Sequence, residues 1–367
     1  MLKVKDITAR IQELAPPEAA MDWDNSGLQL GNLEEQVTRV LIAVEPTEKV
    51  VLEALEKNCQ LLIVHHPLIF QGLKSLNLAE PRGSLIGRAL KNDLAVFAAH
   101  TNLDQARWGL NDFLADKLEL EEVENLQTGL KQEKLVVFLP RDSLKEVQQA
   151  LFSAGAGEIG NYSEASFFTQ GTGTFKPLAG SSPAVGQQGK REEVEEYRLE
   201  VLYQNRDRSR IIDSLKEAHP YEEPAYDIFA LEQHQNEPQP ARLGRLTEPV
   251  SLEKFLQRVK RVLSPSVLRY SGSLTRRIGR IGLACGSGGD FLKEADPKRM
   301  DLFLTGDVKY HELLAAREKG VAVVDAGHFA TEKIFRELIA GYLSDSFPAR
   351  ELEVVEASRD ESPWQLA

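Results

Sequence analysis

The stretch that decides the fold is residues 61–70, LLIVHHPLIF. Its first four residues form a continuous apolar run, which is typical of a strand buried on both faces of a parallel sheet. His65 and His66 follow the run, and Pro67 ends the strand because proline restricts the residue before it and lacks an N–H for the ladder. The two histidines therefore lie at the carboxyl end of a strand, where open α/β sheets bind their ligands. For an isolated pair, neutral imidazoles hydrogen-bonded to the backbone are the simpler explanation.

Composition bounds the class of protein. The chain has 367 residues, of which 42% are hydrophobic and 27% charged, as in a soluble globular protein large enough for two domains. No apolar run approaches the ~18 residues of a membrane span, and the N-terminal pattern lacks the apolar segment of a signal peptide. Cys59 and Cys285 are too isolated to indicate a disulfide framework. These features predict a cytoplasmic protein that does not enter a membrane. The net charge of −12 disfavours broad nucleic-acid binding, because phosphate contacts need clustered Lys and Arg.

Helix and strand patterns alternate through residues 1–127 and again through residues 243–367. This alternation implies right-handed crossovers between parallel strands. The predicted fold class is therefore α/β, with mainly parallel sheets and flanking helices in two halves. Residues 23–31, WDNSGLQLG, are rich in turn formers and are predicted to be a loop.

Residues 128–242 have a different pattern from the segments around them. Their predicted elements follow the order β-α-β-β-α-β, which is the ferredoxin-like arrangement. Between the middle strands, residues 180–196 (GSSPAVGQQGKREEVEE) are small and polar and then charged, which predicts a long hairpin loop. We therefore predict an α/β core formed by residues 1–127 and 243–367, interrupted by an inserted domain of residues 128–242.

Two further predicted strands end in histidine and carboxylate. Residues 94–99 run into His100, with Asp104 four positions later, and a buried strand precedes His328, with Glu332 four positions later. If a helix starts near Phe329, the four-residue spacing places His328 and Glu332 on one helix face. Four of the seven histidines thus lie at strand ends beside carboxylates. Chance clustering is one explanation, and a site for Zn, Fe, Mn, Co or Ni is the other.

Five motifs in this order resemble the family of NGG-one interacting factor three-like proteins, many of which are labelled GTP cyclohydrolase I type 2 homologues. The motifs are WDNSGLQLG, HHPLIF, HTNLD, LTGDVKYHE and DAGHFATE. The resemblance implies two divalent metal ions (Zn, Fe or Mn), a bridging carboxylate and a toroidal homohexamer. The ligand set that it implies is His65, His66, Asp104, His328 and Glu332. It also implies that the insertion is a CutA-like, PII-like domain, most clearly at residues 218–228, AHPYEEPAYDI.

A pair of metal ions would indicate the charge of the ligand and the type of reaction. Two divalent ions outweigh two ligand carboxylates, so the site would attract an anionic small molecule such as a nucleotide. Paired ions also lower the pKa of water and favour hydrolysis. His100, which the resemblance places behind the ligands, and Glu45, where many relatives have aspartate, are candidates for proton transfer. Residues 285–289, CGSGG, are either a phosphate-binding loop or a tight strand-to-helix connection.

Whether the protein is an enzyme is left open by the sequence. The leading hypothesis is a metal-dependent hydrolase, either a cyclohydrolase or a phosphoester or nucleotide hydrolase. The alternative is a metal-binding regulatory or ligand-sensing protein without turnover, which the predicted inserted domain favours. The fold alone does not decide between these two hypotheses, because one fold supports many functions.

Overall fold

The computed structural model describes residues 1–126, 132–159, 162–231 and 240–365, without the side chains of Arg206 and Glu294. The chain divides into two compact units. Met1–Gln127 and Pro238–Ala367 form the first, and Thr128–Glu237 form the second. Within the described ranges, no helix has the length and apolar character needed to cross a membrane.

Strands and helices alternate along most of the described chain. In chain order the strands are β1 (Gly27–Leu30), β2 (Arg39–Ala43), β3 (Leu61–Val64), β4 (Ala95–Ala98), β5 (Leu120–Asn125), β6 (Gln132–Pro140), β7 (Ser166–Phe175), β8 (Glu192–Gln204), β9 (Tyr226–Ala230), β10 (Arg242–Ser251), β11 (Arg269–Tyr270), β12 (Arg277–Ser287), β13 (Leu302–Gly306), β14 (Ala322–Asp325) and β15 (Glu353–Glu356). The helices are α1 (Val4–Leu14), α2 (Glu48–Glu56), α3 (Pro81–Lys91), α4 (Thr101–Gln105), α5 (Leu110–Lys117), α6 (Leu144–Ser153), α7 (Arg208–Ala218), α8 (Leu252–Leu263), α9 (Tyr310–Glu318), α10 (His328–Glu332) and α11 (Ile334–Ser346). Short 3-10 helices lie at Pro17–Ala19, Arg141–Ser143, Asn205–Asp207 and Gly289–Glu294.

The first sheet of the first unit has the strand order β1-β4-β3-β2-β15. Strands β4, β3, β2 and β15 pair in parallel, and β3 is buried along its whole length, as its apolar run predicts. Strand β1 pairs antiparallel with β4, with Gly27 opposite Ala98. The prediction that residues 23–31 form a loop is therefore wrong for Gly27–Leu30. The stretch is rich in turn formers, yet part of it forms a short strand because it pairs with β4, which is distant in the sequence.

The second sheet has the order β11-β14-β13-β12-β10-β5. In its described part, β12 pairs in parallel with β13 and β13 with β14, and the other three pairings are antiparallel. The prediction of mainly parallel sheets thus holds for the first sheet and not for this one. Strand β5 (LEEVEN) is mostly exposed and charged, so it has no apolar alternation, and β10 contains Gly244 and Pro249. Neither strand has the composition from which a strand is predicted.

One apolar core is shared by the two sheets of the first unit. It includes Ile63 and Phe97 from the first sheet, Leu283 and Val324 from the second, and Phe335 from α11. Helix α11 also packs against β2, α1 and α5. Because side chains of α11 belong to this shared core, the short α10 just before it is held against the ends of β12 and β13.

The second unit contains a four-stranded antiparallel sheet with the order β7-β8-β6-β9. Apolar residues of α6 and α7 pack on one face of it, among them Leu151 and Leu215 against Val137 and Leu199. Strand β8 begins at Glu192, opposite Phe175, so the predicted hairpin loop of residues 180–196 is wrong at its C-terminal end. The charged residues there alternate along a strand rather than belonging to a loop. The predicted domain boundary at residue 128 lies outside the described residues.

Candidate metal centre

The polar residues predicted at strand ends lie together in the structure. His65 and His66 follow β3, while His100 and Asp104 follow β4, where the short helix α4 begins directly after His100. The backbone N–H of Asp104 donates to the carbonyl of His100, and this helical turn places both side chains on one side. Their assignment as metal ligands remains a prediction.

Glu332 is the side chain that the imidazoles of this cluster approach. Its Oε1 lies 3.0 Å from Nε2 of His328 and 3.7 Å from Nε2 of His65, and its Oε2 lies 3.3 Å from Nε2 of His66. The helix α10 contains both His328 and Glu332, so their four-residue spacing gives the predicted shared face. His65 Nε2 is also 3.6 Å from Oδ1 of Asp104. Each oxygen of one buried carboxylate therefore faces a different set of imidazoles.

The opposite nitrogen of each histidine is held by an oxygen acceptor. The pairs are His65 Nδ1 with the Ala99 carbonyl at 2.8 Å, His66 Nδ1 with Glu45 at 2.7 Å, His100 Nδ1 with Asp24 at 2.7 Å and His328 Nδ1 with Asp307 at 2.8 Å. Because a carbonyl oxygen only accepts and an ionised carboxylate only accepts, Nδ1 is the donor in these pairs. In the neutral ring, Nε2 then has the free lone pair, as in histidines that ligate metals.

The electrostatics show that the cluster needs positive charge. Burial alone would lower the pKa of His66, but the carboxylates of Glu332 and Glu45 beside it outweigh burial and raise that pKa to about 10. In the same way, the pKa of His328 rises to about 9 against its burial, because Glu332 and Asp307 lie beside it. Burial would raise the pKa of Glu332, yet the surrounding imidazoles hold it well below its usual range. A cation bound among these groups would supply the charge that the protons supply here.

Buried atoms without partners test whether a metal ion fits. His65 Nε2, Asp104 Oδ1 and Glu332 Oε2 have no hydrogen-bond partner among the described residues. An unsatisfied buried polar group costs about 1–3 kcal/mol. The 3.6 Å between the atoms of His65 and Asp104 is too long for a hydrogen bond. It is close to the ~3.4 Å that separates two ligands bound ~2.0–2.2 Å from one tetrahedral ion.

Two groups of side chains offer ligand atoms that lie within 4.8 Å of one another. They are His65, His66 and His100, and His66, His328 and Glu332. His100 was predicted to lie behind the ligands, and its ligand atom lies within 4.8 Å of those of His65 and His66. Imidazole with carboxylate suits first-row transition metals and zinc. The cluster could therefore hold a metal ion.

The glycine-rich residues 285–289 support this cluster from one side. A Cβ at Gly286 would lie 2.2 Å from Oε1 of Glu332, so the backbone approaches the carboxylate more closely than any other residue type allows. The loop amides donate to side chains of the protein, namely Cys285 to Asn111 at 2.7 Å, Gly286 to Thr331 at 2.9 Å and Gly288 to Thr305 at 2.8 Å. Since these three N–H groups are already used, the tight connection explains the loop better than phosphate binding does.

Sequence reasoning missed Asp24 and Asp307 as members of the site. Both lie in motifs that were noted, WDNSGLQLG and LTGDVKYHE, but neither lies in a periodic pattern that indicates its partner. Asp307 has φ of 54°, an uncommon value for a residue other than glycine. Such backbone strain is typical of functional sites. Asp24 accepts from Ser26 as well as from His100, so its carboxylate is fixed.

Comparisons with known proteins agree with the motifs. The profile of the family described as Duf34/NIF3 (NGG1p interacting factor 3) matches residues 2–363. The GTP cyclohydrolase 1 type 2 homolog of Halalkalibacterium halodurans is 39% identical over 325 residues, or 88% of this chain and 87% of that protein. The protein of the same name in Bacillus subtilis is 38% identical over 335 residues, or 91% of this chain and 90% of that protein.

A solved structure extends the likeness to the fold. The crystal structure of a Bacillus cereus protein related to NIF3 aligns with a TM-score of 0.67 at 34% identity. The alignment covers 100% of this chain and 99% of that one. The resemblance inferred from the five motifs is thus confirmed over nearly the whole sequence. The chain belongs to the Duf34/NIF3 (NGG1p interacting factor 3) family.

Proposed function

We propose that this protein is a dinuclear metal-dependent hydrolase that acts on an anionic small molecule such as a nucleotide. The observation that supports it most directly is that buried atoms of His65, Asp104 and Glu332 have no hydrogen-bond partner in the described part of the chain. The names of the curated relatives, GTP cyclohydrolase 1 type 2 homolog, are consistent with nucleotide chemistry.

The proposed ligand set is the one implied by the motifs, and Glu332, which lies between the imidazoles, would be the carboxylate shared by two ions. Support for two ions comes from the two carboxylate oxygens of Glu332, which face different imidazoles. Its Oε1 lies near His328 and its Oε2 lies near His66. The two candidate ligand groups also share His66. Bound divalent ions, such as Zn, Fe or Mn, would supply Lewis acidity and water of lowered pKa.

The residues around the ligands have separate roles in this proposal. His100 keeps its Nε2 towards the cluster because Asp24 holds its Nδ1, so in its neutral form His100 can accept a proton from a water molecule. Glu45 is bonded to His66 Nδ1 at 2.7 Å and acts mainly by orienting that imidazole. Of the two candidates for proton transfer, His100 is therefore the better placed.

The test combines metal content with turnover. Protein reconstituted with Zn, Mn or Fe should contain two ions per chain by elemental analysis, and should release product from at least one nucleotide or phosphoester in a screen. Chelated protein is the control and should release none. Tight ligand binding without any metal-dependent product would contradict the hydrolase proposal and favour the alternative.

The alternative is a metal-dependent regulatory or ligand-sensing protein without turnover. It is favoured by the separate compact unit Thr128–Glu237, whose fold could bind a second ligand. We propose that this unit is an inserted ferredoxin-like, CutA/PII-like domain, which the sequence predicts at residues 128–242 and the contacts confine to Thr128–Glu237. Its β-α-β-β-α-β order and the sheet order β7-β8-β6-β9 support that proposal.

The domain proposal is tested by deletion. Replacing Thr128–Glu237 with a short Gly/Ser linker should leave a folded, metal-binding remainder, measured by circular dichroism and elemental analysis. An insoluble or metal-free product would count against it. Light scattering on the full chain tests the homohexamer, which remains a proposal.

A further inference from the structure

Two exposed aromatic side chains lie beside the candidate metal centre. Trp23 is 57% exposed and Phe70 is 41% exposed. Their ring centroids are 5.7 Å apart, and the two planes are tilted by 50°. Each ring meets the His100 imidazole edge to face, Trp23 at 6.1 Å and Phe70 at 6.4 Å between centroids. The exposed aromatic pair therefore lies directly beside the imidazole cluster.

The loops that bear these two rings are fixed to each other. Asn25 Nδ2 donates to the carbonyl of Ile69, and the amide of Ile69 donates to Oε1 of Gln29 at 3.1 Å. Trp23 and Phe70 are therefore each one or two residues from a cross-link between the loops.

The first loop is also fixed to the imidazole cluster. Asp24, next to Trp23, accepts hydrogen bonds from His100 at 2.7 Å and from the hydroxyl of Thr101 at 2.6 Å. An aromatic pair held in this way has little conformational entropy to lose when a ligand binds. The arrangement differs from that of a surface aromatic residue on a mobile loop.

We propose that Trp23 and Phe70 form a stacking site for a planar heteroaromatic ring, on a ligand whose anionic group reaches the metal centre. This inference rests on the proposed function and names the part of the ligand that the metal ions do not bind. The faces of aromatic side chains bind such rings without regard to their exact hydrogen-bonding groups. Trp23 and Phe70 both contact His100, which lies against His65 and His66. A ligand ring stacked on the two side chains would therefore lie next to the metal centre.

The experiment compares two phosphate-bearing ligands, of which only one has a heteroaromatic base. Affinities of GMP and ribose 5-phosphate are measured by calorimetry on the metal-loaded full chain and on Trp23→Ala and Phe70→Ala. We expect each substitution to weaken the binding of GMP by roughly 5- to 150-fold, which is the range for removing one aromatic side chain that stacks on a base. Ribose 5-phosphate should bind equally to all of them.

Two further variants separate stacking from other causes. Trp23→Phe keeps an aromatic face and should restore most of the GMP affinity. Trp108→Ala removes another exposed tryptophan, which is 68% exposed and stacks with Arg107, and should change neither affinity. Metal content and thermal unfolding are measured on every variant. Because Trp23, Phe70 and Trp108 are exposed, substitutions there should change neither the fold nor the bound ions.

The outcomes separate this inference from the function on which it rests. If GMP and ribose 5-phosphate bind the parent protein equally well, and the alanine variants do not change this, the stacking site is wrong while the anion site stands. If neither ligand binds the metal-loaded parent protein, the proposed function fails and the stacking site fails with it. If Trp23→Ala dissociates an oligomer in light scattering without weakening GMP, a second copy of the chain covers these rings and the inference is overturned.

Discussion

The carboxylate of Glu53 anchors the chain that follows β15. It lies on α2 with its side chain 1% exposed. It accepts hydrogen bonds from the Ser358 amide at 2.9 Å, the Ser358 hydroxyl at 2.8 Å and the Arg359 amide at 2.8 Å. Lys57 Nζ lies 2.6 Å from the same carboxylate. Removing the charge of Glu53 should therefore loosen the C-terminal segment and destabilise the first unit.

The size of the effect follows from the pKa of Glu53. Burial would raise this pKa, but the Lys57 and backbone hydrogen bonds outweigh it and lower the pKa from 4.5 to about 2. Because the folded-state pKa is the lower one, the stabilisation is complete above the unfolded-state value and disappears as the pH falls towards the folded-state value. One pKa unit corresponds to about 1.36 kcal/mol, so the ionised carboxylate contributes about 3 kcal/mol to the free energy of unfolding at neutral pH.

Glu53→Gln keeps the shape of the side chain and removes its charge. We expect the free energy of unfolding, measured with urea at pH 7, to fall by about 2–3 kcal/mol. Below pH ~4 the variant and the parent protein should converge, because Glu53 is then increasingly protonated in the unfolded chain. Glu56→Gln is the matched control on the same helix, since Glu56 is exposed and pairs with Arg359 at the surface. Parallel stability curves for Glu53→Gln and the parent protein between pH 3 and 7 would refute this reasoning.

Three further predictions concern the metal centre. His65→Ala should lose bound metal while keeping its circular dichroism spectrum, because β3 itself is unchanged; retention of the parent metal content would exclude His65 as a ligand. Gly286→Ala should also lower metal affinity, since its Cβ would lie 2.2 Å from Oε1 of Glu332, and competition with a chelator measures the loss. Asp307→Asn should weaken metal binding by about 10- to 100-fold, as is common when the partner of a ligating histidine is changed; an unchanged affinity would show that the His328 orientation does not depend on Asp307.

Local patterns were sufficient for many of the elements. Helix α8 has a pattern that is readable from the sequence, because its apolar face repeats with helical spacing and Ser251 caps it through the Lys254 amide. The apolar run of β3 likewise predicted a buried central strand, since a fully buried strand needs apolar side chains on both faces.

Strands β1, β5 and β10 were not predicted because their stability depends on pairing. Strand β5 pairs with β10, whose residues lie more than a hundred positions away along the chain, and the exposed charged side chains of β5 have no two-residue alternation. For such strands the hydrogen-bond partner, rather than the composition, determines the conformation.

The sequence by itself determined which residues end the strands, and hence that imidazoles and carboxylates gather at one edge of an α/β protein. It also determined the family, because five ordered motifs are visible without coordinates. Only the tertiary structure decided how these groups face one another. Asp24 and His100 are 76 positions apart, and Asp307 and His328 are 21 apart, so no local period relates them. Their contact depends on how strands from distant parts of the chain pack around a common core. That packing also orients the Nε2 atoms of His65, His66 and His328 towards Glu332.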